Sequence, residues 1–310
     1  MAMSPVSLSA DPLDQSWYEA SARARIDALL DPGTFEEFIG PEQRMMSPHL
    51  PAFDLPRAFD DGIVVGRGLL DGATILIAAQ EGRFMGGAFG EIHGAKLVGL
   101  LRAARAVKPA AVLILFDTGG VRLQEANAGE TAIAEIMRAI ADLRRAGVPV
   151  VGLIGGRAGC YGGGGLIAGT CSRLVVSEGG RISVSGPEVI ETNKGAEEFD
   201  SRDRALVWRT MGGKHRRLIG GADAFADDTI RAFRDAAREQ IGRAPAFDLA
   251  TLEAEQARLE ARLDRFGDAR DATEIWGRLG VNDPAAVPGL DTDRFDTLLA
   301  RLPEAPHDAR

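Results

Sequence analysis

Three glycine clusters dominate the middle of the chain, each behind an apolar segment. They are Phe84-Met85-Gly86-Gly87-Ala88-Phe89-Gly90, Asp117-Thr118-Gly119-Gly120-Val121-Arg122-Leu123-Gln124-Glu125, and Gly155-Gly156-Arg157-Ala158-Gly159-Cys160-Tyr161-Gly162-Gly163-Gly164-Gly165. Glycine is favoured where backbone turns left-handed or where a second backbone comes close. Of the 38 glycines, 31 lie between Gly62 and Gly221, without a G-X-Y period and beside only 15 prolines, which excludes collagen. With 45% apolar and 26% charged residues the chain can bury a core. Glycine here serves tight turns and close approach rather than a flexible linker.

The segments around the clusters alternate in type. Ile63–Leu70 and Thr74–Ala79 are β-rich runs joined by Asp71-Gly72, a hairpin signal. Helical spacing covers 94–107 and 129–146, and Ala111–Phe116 and Val148–Ile154 are continuous apolar runs, as in strands covered on both faces. A short apolar helix begins near Gly164, and short strands follow at 173–177 and 181–184. Strand and helix in this alternation predict βαβ crossovers and a mainly parallel sheet. Beyond Gly221 the composition turns to Ala, Arg, Glu, Asp and Leu, and helices are expected at 222–241, 249–266 and 271–279. The N-terminal part predicts an unstructured start over 1–15, a helix over 17–30 and an extended connector over 47–56, which carries three prolines. The expected organisation is an N-terminal helix and connector (1–60), an α/β core (61–221) and a helical C-terminal extension (222–310).

Charge and cysteine content exclude several classes. The net charge is −9, and no basic block exceeds Lys214-His215-Arg216-Arg217, which argues against a nucleic-acid partner. Cys160 and Cys171 make neither a disulfide framework nor a four-ligand zinc site, and His49, His93, His215 and His307 lack metal spacing. No apolar run approaches the roughly 18 residues of a membrane span, and Met1–Ser16 lacks the pattern of a signal peptide. A cytoplasmic protein with no membrane partner is the expectation.

Two of the three clusters are expected where a parallel strand ends and a helix begins, the place where open α/β sheets hold ligands. The phosphate fingerprints G-x-G-x-x-G and GxxxxGK[ST] are missing from all three. Ser183-Val184-Ser185-Gly186 lacks the first glycine of a nucleophile elbow. Two readings stay open: an oxyanion site built from main-chain N–H groups, or loops that only turn the chain.

Gly82-Arg83-Phe84-Met85-Gly86-Gly87, Gly94-Ala95-Lys96-Leu97, the 117–125 cluster, the Gly162-Gly163 pair before a short helix, and Ser185-Gly186-Pro187-Glu188-Val189-Ile190 together resemble the carboxyltransferase branch of the crotonase superfamily. The motifs span residues 60–195. With the glycine-packed 158–165 stretch, the Trp17-Tyr18 helix and Asn193-Lys194-Gly195-Ala196, the chain resembles the β subunits of biotin-independent malonate decarboxylases. The resemblance implies a crotonase-like (ββα spiral) α/β core. It also implies a decarboxylase subunit that converts malonyl-S-acyl-carrier-protein to the acetyl thioester and CO2 through an enolate held by backbone amides. The family's donors fall on the amides around Gly120–Val121 and Gly162–Gly163, with Gly86, Gly87 and Gly119 lining the thioester arm or its pocket. No metal and no cofactor of the chain's own are implied; the substrate rides on a CoA-derived arm of an acyl carrier protein. Implied partners are a γ subunit, an α subunit that loads malonate, and the carrier protein, in a hetero-oligomer.

Side chains offer weaker candidates. Two roles fit Arg122: a grip on the substrate carboxylate, or an ion pair with Glu125 or Asp117. His93 is a proton donor or a helix-start residue, and Tyr161 lines an acyl pocket or packs in the core. Gln124 and Glu125 position the loop, and Cys160 and Cys171 are small buried residues. Lys214–Arg217 either steers an acidic carrier protein or is a solvated patch. The competing family is the carboxyltransferase β subunit of biotin-dependent acyl-CoA carboxylases. Its bacterial acetyl-CoA carboxylase member carries a four-cysteine zinc ribbon before the core, whereas here no cysteine precedes Cys160. A non-enzymatic scaffold for an active partner is a third reading.

Overall fold

Asp71 and Gly72 both have positive φ (51° and 77°), the backbone of a type I′ turn. The turn joins two eight-residue strands in antiparallel register, Leu70 opposite Ala73 and Ile63 opposite Gln80. Around this hairpin the structure, a computed structural model, describes residues 11–52, 54 and 62–302. The elements run α1 (Ala22–Leu29), β1 (Glu36–Glu37), α2 (His49–Ala52), β2 (Ile63–Leu70), β3 (Ala73–Gln80), α3 (Glu91–Val107), β4 (Ala111–Phe116), α4 (Ala128–Arg145) and β5 (Val150–Ile154). Then follow β6 (Cys160–Tyr161), α5 (Gly163–Thr170), β7 (Arg173–Val176), β8 (Ile182–Ser183), α6 (Pro187–Lys194), α7 (Arg204–Met211) and α8 (Gly213–Leu218). The chain continues through β9 (Ala224–Phe225), α9 (Ile230–Gly242), α10 (Leu249–Phe266), α11 (Ala272–Arg278) and α12 (Thr292–Leu299).

One sheet runs in the order β1-β2-β3-β4-β5-β7-β9, parallel from β3 onward, and β6 pairs with β8 in a second, small parallel sheet. The β4 strand shows why the sheet must be covered twice. Val112, Ile114 and Phe116 join the core beneath α3, α4 and α5, while Ala111, Leu113 and Leu115 join the opposite core with Trp17, α1 and α9. Alternate residues of a strand point to opposite faces, so a continuous apolar run requires helices on both sides.

Four expectations change. The helix expected over 17–30 is confined to Ala22–Leu29, where Ser21 caps it by accepting from Ala24 N–H. The connector at 47–56 contains the helical turn α2; its residues 53, 55 and 56 lie outside the described residues, as does His307. In the start expected to be unstructured, 12–14 form a 3-10 turn whose flank is tied to α9 by Arg231–Asp11 (2.6 Å) and Arg231–Asp14 (2.9 Å); residues 1–10 lie outside the described residues. Beyond Gly221 a strand survives, since β9 extends the parallel sheet, and α9 starts only at Ile230 where Thr229 caps it by accepting from Ala232 N–H. A further cluster of Leu218, Trp276, Val281, Val287, Phe295 and Leu299 holds the last helices together.

Candidate active site

All three glycine loops leave the same end of the sheet, because they follow β3, β4 and β5, which run parallel to one another. Each precedes a helix, so the strand-end position holds for three loops and not two. The loops are laced together in the order of their strands. Gly119 N–H donates to Gly86 O, Phe89 N–H to Gly120 O, and Arg122 N–H to Phe89 O, each at 2.8 Å. Between the second and third loops Thr118 N–H donates to Gly159 O (2.8 Å) and Tyr161 N–H to Thr118 O (2.9 Å).

This lacing needs glycine at specific points. A Cβ on Gly87, whose φ is +66°, would lie 1.7 Å from Asp117 O. One on Gly162, at φ +57°, would lie 3.1 Å from Gly120 Cα, so the second and third loops meet Cα against Cα. Gly86, by contrast, faces open space, and a Cβ on Gly119 would meet only Gly86 O at 3.5 Å.

Asp117 organises the loops from below. Its carboxylate pairs with buried Arg25 (3.0 Å) and accepts from Ala158 N–H (2.6 Å), while its own N–H donates to Gln80 Oε1. That last bond fixes the Gln80 amide, which turns its NH2 toward Gly87 O and His93 Nε2 (3.1 Å). His93 Nε2 is therefore the acceptor and the ring hydrogen sits on Nδ1. The ring is fully buried against Phe89, in the first turn of α3.

Arg122 is buried in an ion pair with Glu125 (3.1 Å), its guanidinium 5.3 Å above the Phe84 ring. Glu125 in turn accepts from Glu91 N–H (2.6 Å) and so caps α3. The arrangement gives Arg122 a partner inside the chain and gives Glu125 the loop-positioning role. Tyr161 is buried with Phe199, Val207 and Met211, and Arg181 lies 5.9 Å over its ring. Burial raises the pKa of the Tyr161 phenol and pushes the Cys160 thiol well above its ordinary value.

Backbone donors are what remain. Gly120 N–H already donates to Thr118 Oγ1 (3.1 Å), so the open donor of the second loop is its neighbour. Among the described residues no acceptor takes the N–H of Val121 or Gly163, whereas the parallel pairing of Tyr161 with Ser183 turns the Gly162 N–H into the β6–β8 ladder. Gly162 caps α5 and Gly163 opens it; the first intrahelical bond is Leu166 N–H to Gly162 O, and a helix start favours negative charge. Among the described residues no group of three or more His, Cys, Asp or Glu could hold a metal ion, and no helix is long and apolar enough to cross a membrane.

The Lys214–Arg217 cluster needs correction. It is α8, wedged between the sheet and the C-terminal helices. Lys214 is buried, donating to Leu290 O (2.6 Å) and Pro288 O (3.0 Å) and pairing with Glu178; His215 is buried and accepts from Trp276 Nε1 (3.2 Å). A charge run in sequence carries no sign of its burial, and here it fastens the extension.

Residues 19–234 match the carboxyl transferase domain family. The chain is 39% identical to a malonyl-S-ACP:biotin-protein carboxyltransferase of Malonomonas rubra, over 93% of this chain and 97% of that protein. It superposes on a subunit of a Pseudomonas malonate decarboxylase hetero-tetramer solved with malonate, with a TM-score of 0.77 and 41% identity over 86% of this chain and 97% of that one. The transcarboxylase 12S structure, at 24% identity, TM-score 0.62 and 73% of this chain against 41% of that one, shares the fold. The core is thus the crotonase-like α/β spiral with a helical C-terminal extension, and the chain belongs to the carboxyl transferase family, on its malonate decarboxylase branch.

Proposed function

We propose that this chain is the malonate decarboxylase subunit that breaks the C–C bond of malonyl-S-acyl-carrier-protein, giving acetyl-S-acyl-carrier-protein and CO2. The observation that carries the reading is the pair of open amides on Val121 and Gly163, held on two loops that touch Cα to Cα. As the carboxylate leaves as CO2, the bonding pair moves into the thioester as an enolate, and a proton then returns to carbon. Donors already aimed at the enolate oxygen lower the barrier by ~3–4 kcal/mol each. Gly120 and Gly119 provide room for the thioester, Gly86 faces its arm, and Gly87 sets the spacing of the loops. Arg122 reaches the carboxylate only by loosening its pair with Glu125, and Tyr161 forms the wall behind Gly162.

The reading gives the chain no cofactor of its own, since the acyl group arrives on the carrier's CoA-derived arm. It also gives it partners: a γ subunit, an α subunit that loads malonate, and the carrier protein. One feature supports a second subunit over this face. Met85, Leu123 and Leu166, one beside each glycine loop, are exposed apolar side chains. The clefts of about 440 Å3 between α3 and α4 and about 350 Å3 beside Phe38 and Met45 lie away from the open amides.

A second reading is favoured by the Malonomonas relative, named for transfer to a biotin protein. Both readings share the enolate and differ in what takes the carboxyl group. Assembled with its partner subunits and given malonyl thioester, the chain should release CO2 and acetyl thioester with no biotin protein present. Turnover that appears only when a biotin protein is added assigns it to carboxyl transfer instead.

A further inference from the structure

Helix α10 turns the wrong side inward. Of its eighteen residues none is buried. Thr251, Glu255, Arg258, Arg262 and Phe266 are half-buried against the body, with Arg258 paired to Glu255 (2.6 Å) and Arg262 donating to Ile219 O (2.9 Å). Leu249, Leu252, Leu259 and Leu263 are 37–69% exposed. Together with Gln256 they recur at alternating steps of three and four, the spacing of a coiled-coil seam. At ~100° per residue the stripe lies about a quarter turn from the docked side. Single exposed leucines are ordinary, but a row of four on a helix that docks through its charges is a surface with a use.

Charge decides what it fits. On the solvent side of the stripe stand Glu253, Glu260 and Asp264, whereas the arginines are engaged elsewhere: Arg258 with Glu255, Arg262 with Ile219 O and Arg265 with Arg278 O. At the N-terminal end a cavity of about 140 Å3, lined by Leu252, Phe247, Pro245 and Arg144, continues the stripe. The Arg144 guanidinium lies 4.4 Å over Phe247, which stiffens that wall. A second copy of this helix is a poor match: antiparallel pairing sets Glu253 against Glu260, and parallel pairing sets Glu255 against Glu260.

We propose that this face receives a basic amphipathic helix of a partner protein, its leucine-like side chains on the stripe and its lysines or arginines against Glu253, Glu260 and Asp264. The test uses the full-length chain and two labelled 21-residue peptides with leucine at the seam positions, flanked by lysine in one and glutamate in the other, read by fluorescence anisotropy. The lysine peptide should bind with a Kd on the order of 10 µM and the glutamate peptide at least ~10-fold more weakly. Leu252→Ser/Leu259→Ser/Leu263→Ser and, separately, Glu253→Lys/Glu260→Lys should each weaken the lysine peptide ~10-fold, with unchanged circular dichroism. Equal affinity for the two peptides, or binding that neither variant weakens, overturns the proposal. So does concentration-dependent self-association in sedimentation that the serine variant abolishes, because the occupant is then a second copy.

Discussion

At the scale of single residues the site depends on what is missing from Gly162. Adding one methyl there forces left-handed backbone on an L-residue and sets a carbon 3.1 Å from Gly120 Cα. The second and third loops must then part, and the Val121 and Gly163 donors move with them. Gly162→Ala in the assembled complex should lower kcat by ~100-fold, the cost of about one oxyanion donor, with KM for the malonyl thioester little changed. A variant with wild-type kcat would refute the backbone reading. Asp117 shows a different dependence. Its ion pair with Arg25 is almost wholly buried, so Asp117→Ala should cost ~3–5 kcal/mol by leaving the Arg25 charge unpaired. The double variant Arg25→Met/Asp117→Ala should recover part of that loss, a non-additivity that denaturant unfolding of all four proteins measures. Strict additivity would mean that the pair does not hold the loops.

Among the elements, those defined by one continuous pattern are legible in the sequence and those defined by distant partners are not. The β4 run is read to its residue limits at 111–116, because six apolar residues in a row have no other use than a doubly covered strand. The hairpin is equally plain from Asp71-Gly72. The two-residue strand β9 has no period to detect, and its neighbours Asp227 and Asp228 look helical by composition until Thr229 is recognised as the cap of α9. Likewise the glycine loops were visible, but Asp117 as their hub depends on Arg25 and Ala158, which no spacing rule links to it. The basic helix α8 is where the reading of a surface patch failed, and its titration offers a test. Burial lowers the His215 pKa from 6.5 to about 3, helped by Arg216 and Arg262 and opposed by Asp271. The unfolded ring takes up a proton below pH 6.5 and the folded ring does not. Stability from this site is therefore complete above pH 6.5 and falls as the pH drops toward 3, by ~2 kcal/mol at pH 5. His215→Gln should flatten the fall of the urea midpoint between pH 6.5 and 5; an unchanged slope would place the loss on other groups.

For the molecule as a whole, the question is how a chain of net charge −9 is joined to a helical extension without giving up its one basic run. Lys214 answers it by donating to two carbonyls of the extension, Pro288 O and Leu290 O, and pairing with Glu178 beyond β7. The ammonium thus ties the sheet to the last helices at a point where Leu218 enters their apolar cluster. A lysine engaged in this way is not available to attract an acidic carrier. Removing it separates the two roles, since steering acts on encounter and fastening acts on local opening. Lys214→Met should raise amide hydrogen exchange across 271–302 by ~10-fold or more, as expected for the loss of ~1.5–3 kcal/mol of charge-assisted hydrogen bonding. In the same variant, KM for carrier-bound malonyl thioester and its dependence on ionic strength should stay at the wild-type values. A raised KM whose salt dependence disappears, with exchange in 271–302 unchanged, would return the cluster to the surface role that its sequence first suggests.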